Sequence, residues 1–592
     1  MPLRPLIADK GNLIHCARPS TGDPTDVLRL AAERPSVQNP TADAVASDLT
    51  VGFAPHPASA ASRYRESGVF PGRPLWHVLG DAASQRPGRP AVTDASVDDA
   101  VTLTYAEFES AATRRAAGFT SAGLRPGDRV ILQQHNSAGF AINLFGLLRA
   151  GVVPVMTLPA HRSAEIVHLA AGSGAVAYIT EDDRRGFDHR ELAVAVQAAV
   201  PSIQTVFIDG DPGPFAALPD ADPADVPLLV EDDIDPDGPA LFLISGGTTG
   251  LPKLIARTHN DYAYNARRSA EIAGLHADDT YLVALPGAHN FPLCCPGILG
   301  MVTVGGHVVF TDNPSPDNTF DLIETHRVTV TALVPALAQV WCAATEWEPA
   351  DISSLRLLQV GGAKLAAPDA VALDAALGEV VQQVFGMAEG LICYTRLDDP
   401  RELVHATQGA PMSEYDEIRV VDEDGRDVAD GTEGELLVRG PYTIRGYYRA
   451  DEHNLRSFTS DGYYRSGDKV RRLPSGHLAV TGRIKDTVVR AGENVAADDV
   501  EENLLAHRSI RQAAVIGLPD DALGEKICAV VVLSHEHPRG EPLELPAVRA
   551  FLTERGMAAF KLPDTLQVVA ALPLTAVGKI DKAALREPSP GA

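Results

Sequence analysis

Residues 129–158 read RVILQQHNSAGFAINLFGLLRAGVVPVMTL. RVILQQHN (129–136) predicts a strand, FAINLFGLLRAG (140–151) a helix, and VVPVMTL (152–158) a second strand. Phe140 to Pro159 is the most apolar stretch of the chain, but Asn143, Arg149, Gly151 and Pro154 interrupt it. It therefore reads as buried helix, turn and buried strand, and not as a membrane span. A strand that is apolar throughout is buried on both faces, which is the signature of a parallel sheet covered by helices. The unit fixes an expectation of layered α/β architecture.

Working outward, the segment from Leu103 to about Gly123 has helical periodicity, and PALFLIS (239–245) predicts a strand that breaks into glycines. HVVFT, VTVTALVP, LRLLQVGG and VVQQVFG continue the strand–helix alternation. After Gly409 the pattern turns to alternating residues with frequent turn signals, predicting a small β region. The last hundred or so residues form another α/β unit. The predicted division is a mobile extension (1–50), a large domain (51–484) and a small C-terminal domain (485–592). The extension is assigned on its Pro, Ala, Ser, Thr and Asp content and weak periodicity.

The chain has 592 residues, is 45% hydrophobic and 22% charged, and carries a formal net charge of -27. The length calls for two or more domains. The acidic balance argues against holding nucleic acid by its phosphates. Of six cysteines (16, 294, 295, 342, 393 and 528) none makes a CxxC pair. Free thiols in a reducing compartment are expected. The N-terminus has no basic segment followed by an apolar run, so a cytoplasmic protein is expected.

Ser245-Gly246-Gly247-Thr248-Thr249-Gly250-Leu251-Pro252-Lys253 follows an apolar strand. Its glycines let backbone N–H groups approach phosphate oxygens, its hydroxyls add donors, and Lys253 adds charge. It is not a P-loop, because Pro252 precedes the lysine where that motif requires glycine.

Several ordered motifs accompany the loop: VFGMAEG (384–390), GELLVRGPYTIRGYY (434–448), YYRSGDKV (463–470), GRIKD (482–486) and PLTAVGKID (573–581). With it, from about Tyr64 to Lys582, the chain resembles the adenylate-forming superfamily of acyl-CoA synthetases, nonribosomal peptide adenylation domains and luciferases. The resemblance implies two half-reactions. A carboxylate attacks the α-phosphate of ATP and releases pyrophosphate; a thiol then attacks the acyl-adenylate and releases AMP. The first joins two anions, so the site must supply positive charge and alignment.

The resemblance assigns Lys579 to bridging carboxylate and α-phosphate, and Glu389 to Mg2+. Phe385 would stack on adenine, with Gly386, Met387 and Ala388 beside it. Asp468 would hold the ribose hydroxyls, Arg483 a ribose or phosphate oxygen, and Gly361, Gly362, Ala363 and Lys364 the adenine wall, with Gly362 also touching the acid. Lys485 would be the hinge about which the small domain turns, exchanging Lys579 for the thiol tunnel at Gly492.

The acid is read from His289-Asn290-Phe291-Pro292-Leu293-Cys294-Cys295-Pro296-Gly297. This resembles the aryl-acid ligases of siderophore assembly, above all those for salicylate in mycobactin-type pathways. A neutral Asn290 offers no partner for an amino acid's ammonium but can hydrogen-bond a 2-hydroxyl. His289 lies beside it, and Phe291 and Val384 would clamp the ring. Cys295 stands where dihydroxybenzoate-activating relatives have serine. A thiol leaves a 3-hydroxyl poorly satisfied, at a cost of about 1–3 kcal/mol. Salicylate is thus favoured over 2,3-dihydroxybenzoate, provided Cys295 and not Cys294 faces the pocket. No Gly-Gly-x-Ser carrier motif follows Lys579, so a freestanding enzyme loading a separate holo aryl carrier protein is expected. An aryl-CoA ligase and an inactive nucleotide sensor are the alternatives.

Overall fold

The structure, a computed structural model, describes residues 49–97, 100–245, 252–490, 493–520, 523–538, 540–555, 557, 559–575 and 578–586. Residues 1–48 of the expected extension, the loop positions Gly246, Gly247, Thr248, Thr249 and Gly250, and the tunnel residue Gly492 lie outside the described residues. Leu49 is buried in the same core cluster as Tyr448.

The 129–158 unit folds as strand Arg129–Gln133, helix Ala138–Arg149 and strand Val153–Thr157. Both strands are buried at every position, as burial on two faces requires. Ser137 caps the helix by accepting from Phe140 N at 3.0 Å, which satisfies one of its free N-terminal donors. The two strands pair in parallel within a seven-stranded sheet, in which Ala177–Glu181 pairs with Arg129–Gln133 on its other side.

A second, nine-stranded sheet holds six consecutive parallel strands: Val381–Met387, Leu357–Gly361, Val330–Leu333, Thr280–Val283, His307–Phe310 and Pro90–Asp94. The largest hydrophobic core runs between the two sheets and includes Phe140, Leu144, Tyr262, Leu293 and Tyr394. The β region after Gly409 is a four-stranded antiparallel sheet from Glu417–Val421 to Leu478–Arg483. The chain leaves it at Arg483, makes a single 3-10 turn at Ile484–Asp486, and enters the last sheet at Thr487–Arg490. That sheet has its own core of Val500, Val515, Ala529 and Leu552.

One local expectation shifts. Leu103 and Thr104 belong to strand Val101–Thr104, and the helix begins only at Tyr105. Thr104 and Glu107 form a reciprocal capping box, which sets that start. Among the described residues no helix is long and apolar enough to cross a membrane.

Candidate active site

The predicted phosphate loop joins two antiparallel strands, Pro239–Ile244 and Leu254–Thr258. Among the described residues it is followed by a strand, Leu254–Thr258, and not by a helix. Its neck is closed twice. Ser245 N donates to Lys253 O at 2.9 Å, and Lys253 N donates to Ser245 Oγ at 3.0 Å. The Lys253 ammonium lies 5.7 Å from the centre of the Tyr447 ring.

Tyr447 links this neck to Glu389. Its hydroxyl donates to Glu389 Oε1 at 2.7 Å and meets Tyr464 Oη at 2.9 Å. Glu389 is buried, in the turn between strands Val381–Met387 and Gly390–Tyr394. The turn is held from below: Arg257 Nη1 donates to Ala388 O at 3.0 Å, and Arg257 is ion-paired with buried Asp261 at 2.9 Å. Phe385, Met387 and Ala388 are half-buried on the main core, and Gly386 is exposed.

Asp468 and Arg483 face each other across two antiparallel strands, with Nε 2.7 Å from Oδ1. Burial pushes the Asp468 carboxyl up, and the Arg483 and Lys579 charges pull it back. Arg483, predicted to meet ribose or phosphate, thus spends part of its charge on its buried neighbour.

Lys579 reaches this group from the small C-terminal unit. The turn that carries it is closed by Thr575 N to Lys579 O at 2.7 Å. Gly578 packs on Val334, and a side chain at Gly362 would lie 3.7 Å from Lys579 Cε. The ammonium acts electrostatically on both Asp468 and His289. Burial, then Lys579, push the His289 imidazole down to about 3, so it is neutral at pH 7.

The aryl side is built on the short helix Asn290–Cys294. His289 Nδ1 accepts from Phe291 N at 3.3 Å at its start, and a cis Cys295–Pro296 peptide follows it. Asn290 Oδ1 accepts from the Tyr262 hydroxyl at 2.9 Å, and its Nδ2 lies 3.5 Å from Cys295 Sγ. Cys294 turns the other way, with Sγ 3.5 Å from Tyr262 O. Burial pushes the Cys295 thiol up to about 12, so it stays protonated. The Phe291 ring lies on Gly361: a Cβ there would sit 3.0 Å from Phe291 Cζ and 2.7 Å from Val384 O.

Gly361, expected on the adenine wall, has Phe291 and Val384 packed against it, where only a residue without Cβ admits the ring. Lys364, expected on the same wall, pairs with Glu502 of the C-terminal helix Ala497–Leu505 at 3.3 Å. Ala363 is exposed beside it. Lys485 lies in the 3-10 turn between the two units. Tyr262 and Tyr447, which hold Asn290 and Glu389, carry no local sequence signal, since their partners are 28 and 58 residues away.

Residues 79–448 match the AMP-binding enzyme family, and residues 499–579 match the AMP-binding enzyme C-terminal domain. The chain is 52% identical over 535 residues to the salicyl-AMP ligase / salicyl-S-ArCP synthetase of Mycobacterium tuberculosis, covering 90% of this chain and 94% of that protein. It is 47% identical to the 2,3-dihydroxybenzoate-AMP ligase of Bacillus subtilis, covering 90% and 97%. Among solved structures it resembles the apo structure of Mycobacterium smegmatis MbtA, with TM-score 0.70, 52% identity, and coverage of 91% and 99%.

Proposed function

Because the chain belongs to the AMP-binding enzyme family and is thus an ATP-dependent adenylating ligase, we propose that it activates salicylate as salicyl-adenylate and passes the acyl group to the phosphopantetheine thiol of an aryl carrier protein, in the cytoplasm and for siderophore assembly. The observation that carries the choice of acid is the Asn290–Cys295 pair beside a ring slot of Phe291, Gly361 and Val384. The Asn290 amide suits a 2-hydroxyl, and the neutral thiol gives a 3-hydroxyl no strong partner. The salicyl-AMP ligase relative has the higher identity of the two aryl-acid ligases compared, 52% against 47%.

In this reading Lys579, standing at Gly362 between His289 and Asp468, lies over the meeting point of carboxylate and α-phosphate. It screens their repulsion as the new C–O–P linkage forms and pyrophosphate departs. A neutral His289 adds no charge, and with Nδ1 accepting from Phe291 N its Nε2–H can donate one hydrogen bond to the acid. Asp468 would accept from ribose hydroxyls, with Arg483 and Lys579 opposing the upward push of burial on its carboxyl. Glu389 fits a magnesium ion, because Tyr447 occupies one of its oxygens and leaves the other for a hard cation that takes one or two carboxylates and completes its shell with phosphates and water. Mg2+ would neutralise phosphate charge there. For transfer, rotation at Lys485 would withdraw Lys579 and bring the segment around Gly492 to the adenylate.

The test is acid-dependent ATP–pyrophosphate exchange across a panel of benzoates, followed by labelled salicylate offered holo-carrier protein or CoA. Exchange led by salicylate with label on the carrier is expected. Exchange led by 2,3-dihydroxybenzoate, or label on CoA alone, would replace the substrate or the acceptor respectively.

A further inference from the structure

We propose that His135, Glu181 and His189 form a binding site for one divalent transition-metal ion of the zinc type, separate from the adenylation machinery. Among the described residues they are a group of three in which one ligand atom from each lies within 4.8 Å of the others. A tetrahedral zinc, with N and O ligands at about 2.0–2.2 Å, holds them roughly 3.3–3.6 Å apart. The approach needed is a small side-chain adjustment.

The topology brings them together. His135 follows strand Arg129–Gln133, Glu181 ends the neighbouring parallel strand Ala177–Glu181, and His189 opens helix His189–Ala199. They sit at the carboxyl ends of parallel strands, where open α/β sheets bind ligands. The two histidines line a cavity of about 330 Å³ whose wall also includes Pro286 and Asp312, with Glu181 buried behind them. It leaves room for water as the fourth ligand.

Glu181 Oε1 accepts from His135 N at 3.2 Å, and its Oε2 is 2.6 Å from His135 Nδ1, so these two proposed ligands hold each other and a bound ion would replace the proton between Nδ1 and Oε2. His189 Nδ1 is 3.3 Å from Asp182 O. A carbonyl can only accept, so Nδ1 carries the proton and Nε2 presents its lone pair. The Phe187 ring packs edge-on against His189 at 4.9 Å, and Arg162 caps Phe187 at 3.8 Å. The positive charge lining the cavity is partly spent: Arg184 and Arg185 both pair with Asp312, at 3.0 and 2.9 Å.

A hydrogen-bonded His135–Glu181 pair alone would serve packing. Convergence of a second, separately oriented imidazole on the same carboxylate at the mouth of a cavity is the pattern of a ligand set with one open position. Two imidazoles and one carboxylate suit zinc, cobalt or nickel, whereas magnesium prefers an all-oxygen shell. The Mg2+ supplied with ATP therefore would not compete.

The full chain, treated with chelator and dialysed, is titrated with Zn2+ by calorimetry and with Co2+ by visible spectroscopy, in excess Mg2+. One equivalent of each metal is expected, and the cobalt spectrum should lack a thiolate charge-transfer band. His189→Ala and the near-isosteric Glu181→Gln should each weaken binding by more than about 100-fold, the upper end of what loss of an outer-shell partner does. The exposed-site control His535→Ala should bind as the parent does. Circular dichroism checks folding, and Glu181→Gln keeps the test decisive if His189→Ala does not fold. No binding by the parent chain, undiminished binding by Glu181→Gln, or a thiolate band would each overturn the proposal.

Discussion

Asn290 and Cys295 face each other at the ends of one short helix: the amide Nδ2 is 3.5 Å from the thiol, which in turn lies 3.4 Å from the Asn290 carbonyl. The residue proposed to meet a 2-hydroxyl and the residue proposed to decide the 3-position are thus one hydrogen-bonded unit. Cys295→Ser replaces a weak donor by a strong one in the same volume. The kcat/KM ratio of 2,3-dihydroxybenzoate to salicylate should rise by about 5- to 100-fold, the range of one buried hydrogen bond restored. Cys294→Ser, whose side chain faces Tyr262 O, should leave the ratio unchanged. An equal response to both substitutions would remove the assignment.

Gly361 is where the ring slot has no spare room. A methyl there would meet Val384 O at 2.7 Å and the Phe291 ring at 3.0 and 3.1 Å. Overpacking of this kind costs about 1–3 kcal/mol. Gly361→Ala should therefore raise the dissociation constant for the aryl acid by at least about fivefold while ATP binding alone changes little. Calorimetric titration with each ligand separately checks it. Equal weakening of both would return Gly361 to the adenine wall.

Lys579 stands at Gly362, with its charge felt by Asp468 and His289. Lys579→Ala should lower pyrophosphate exchange by at least about 100-fold, the usual effect of removing one preorganised electrostatic partner. Transfer from a supplied salicyl-adenylate to holo-carrier should persist, because no anionic attack on phosphate remains to be screened. Parallel loss of both steps would show that the lysine holds structure.

These residues differ in how openly the chain announces them. The strands of both sheets are legible because parallel strands are buried on two faces and so are apolar throughout, as at Arg129–Gln133. The Ser245–Lys253 loop is legible from its glycines, but that it is a hairpin is not: pairing of Ile244 with Leu254 depends on register. The different surroundings of Gly361 and Gly362 were hidden for the same reason. Two adjacent glycines look alike until Phe291 is packed on one and Lys579 on the other. Lys364 read as part of a nucleotide wall because its partner, Glu502, belongs to another folding unit.

Acid should weaken the fold through His259. Its Nδ1 accepts from Leu75 N at 2.9 Å, which requires the neutral ring, and burial pushes it down to about 3. Unfolded, it titrates near its ordinary 6.5. Between these values the unfolded chain holds the extra proton, so the contribution is complete above about pH 6.5 and is lost as pH falls toward 3. At pH 5.5 this one group removes on the order of 1 kcal/mol. His259→Gln, which keeps an acceptor without the titration, should show a correspondingly smaller fall in urea midpoint between pH 7.5 and 5.5. An identical fall would mean that the ring is not held neutral.

The Lys364–Glu502 pair joins the large domain to the small one across 3.3 Å, with side chains about 33% and 69% exposed. At that exposure the pair is worth only a few tenths of a kcal/mol, too little to lock the domains but enough to bias a balanced rotation. Lys364→Glu turns attraction into repulsion in the arrangement that brings Lys579 to Gly362. Pyrophosphate exchange should fall by about two- to fivefold at low salt, and the deficit should shrink as salt screens the pair. Transfer from supplied adenylate should hold steady. Reversing both charges, Lys364→Glu with Glu502→Lys, should restore most of the exchange rate. A double variant no better than Lys364→Glu alone would show that the lysine acts on the nucleotide directly, as its neighbours in the sequence first suggested.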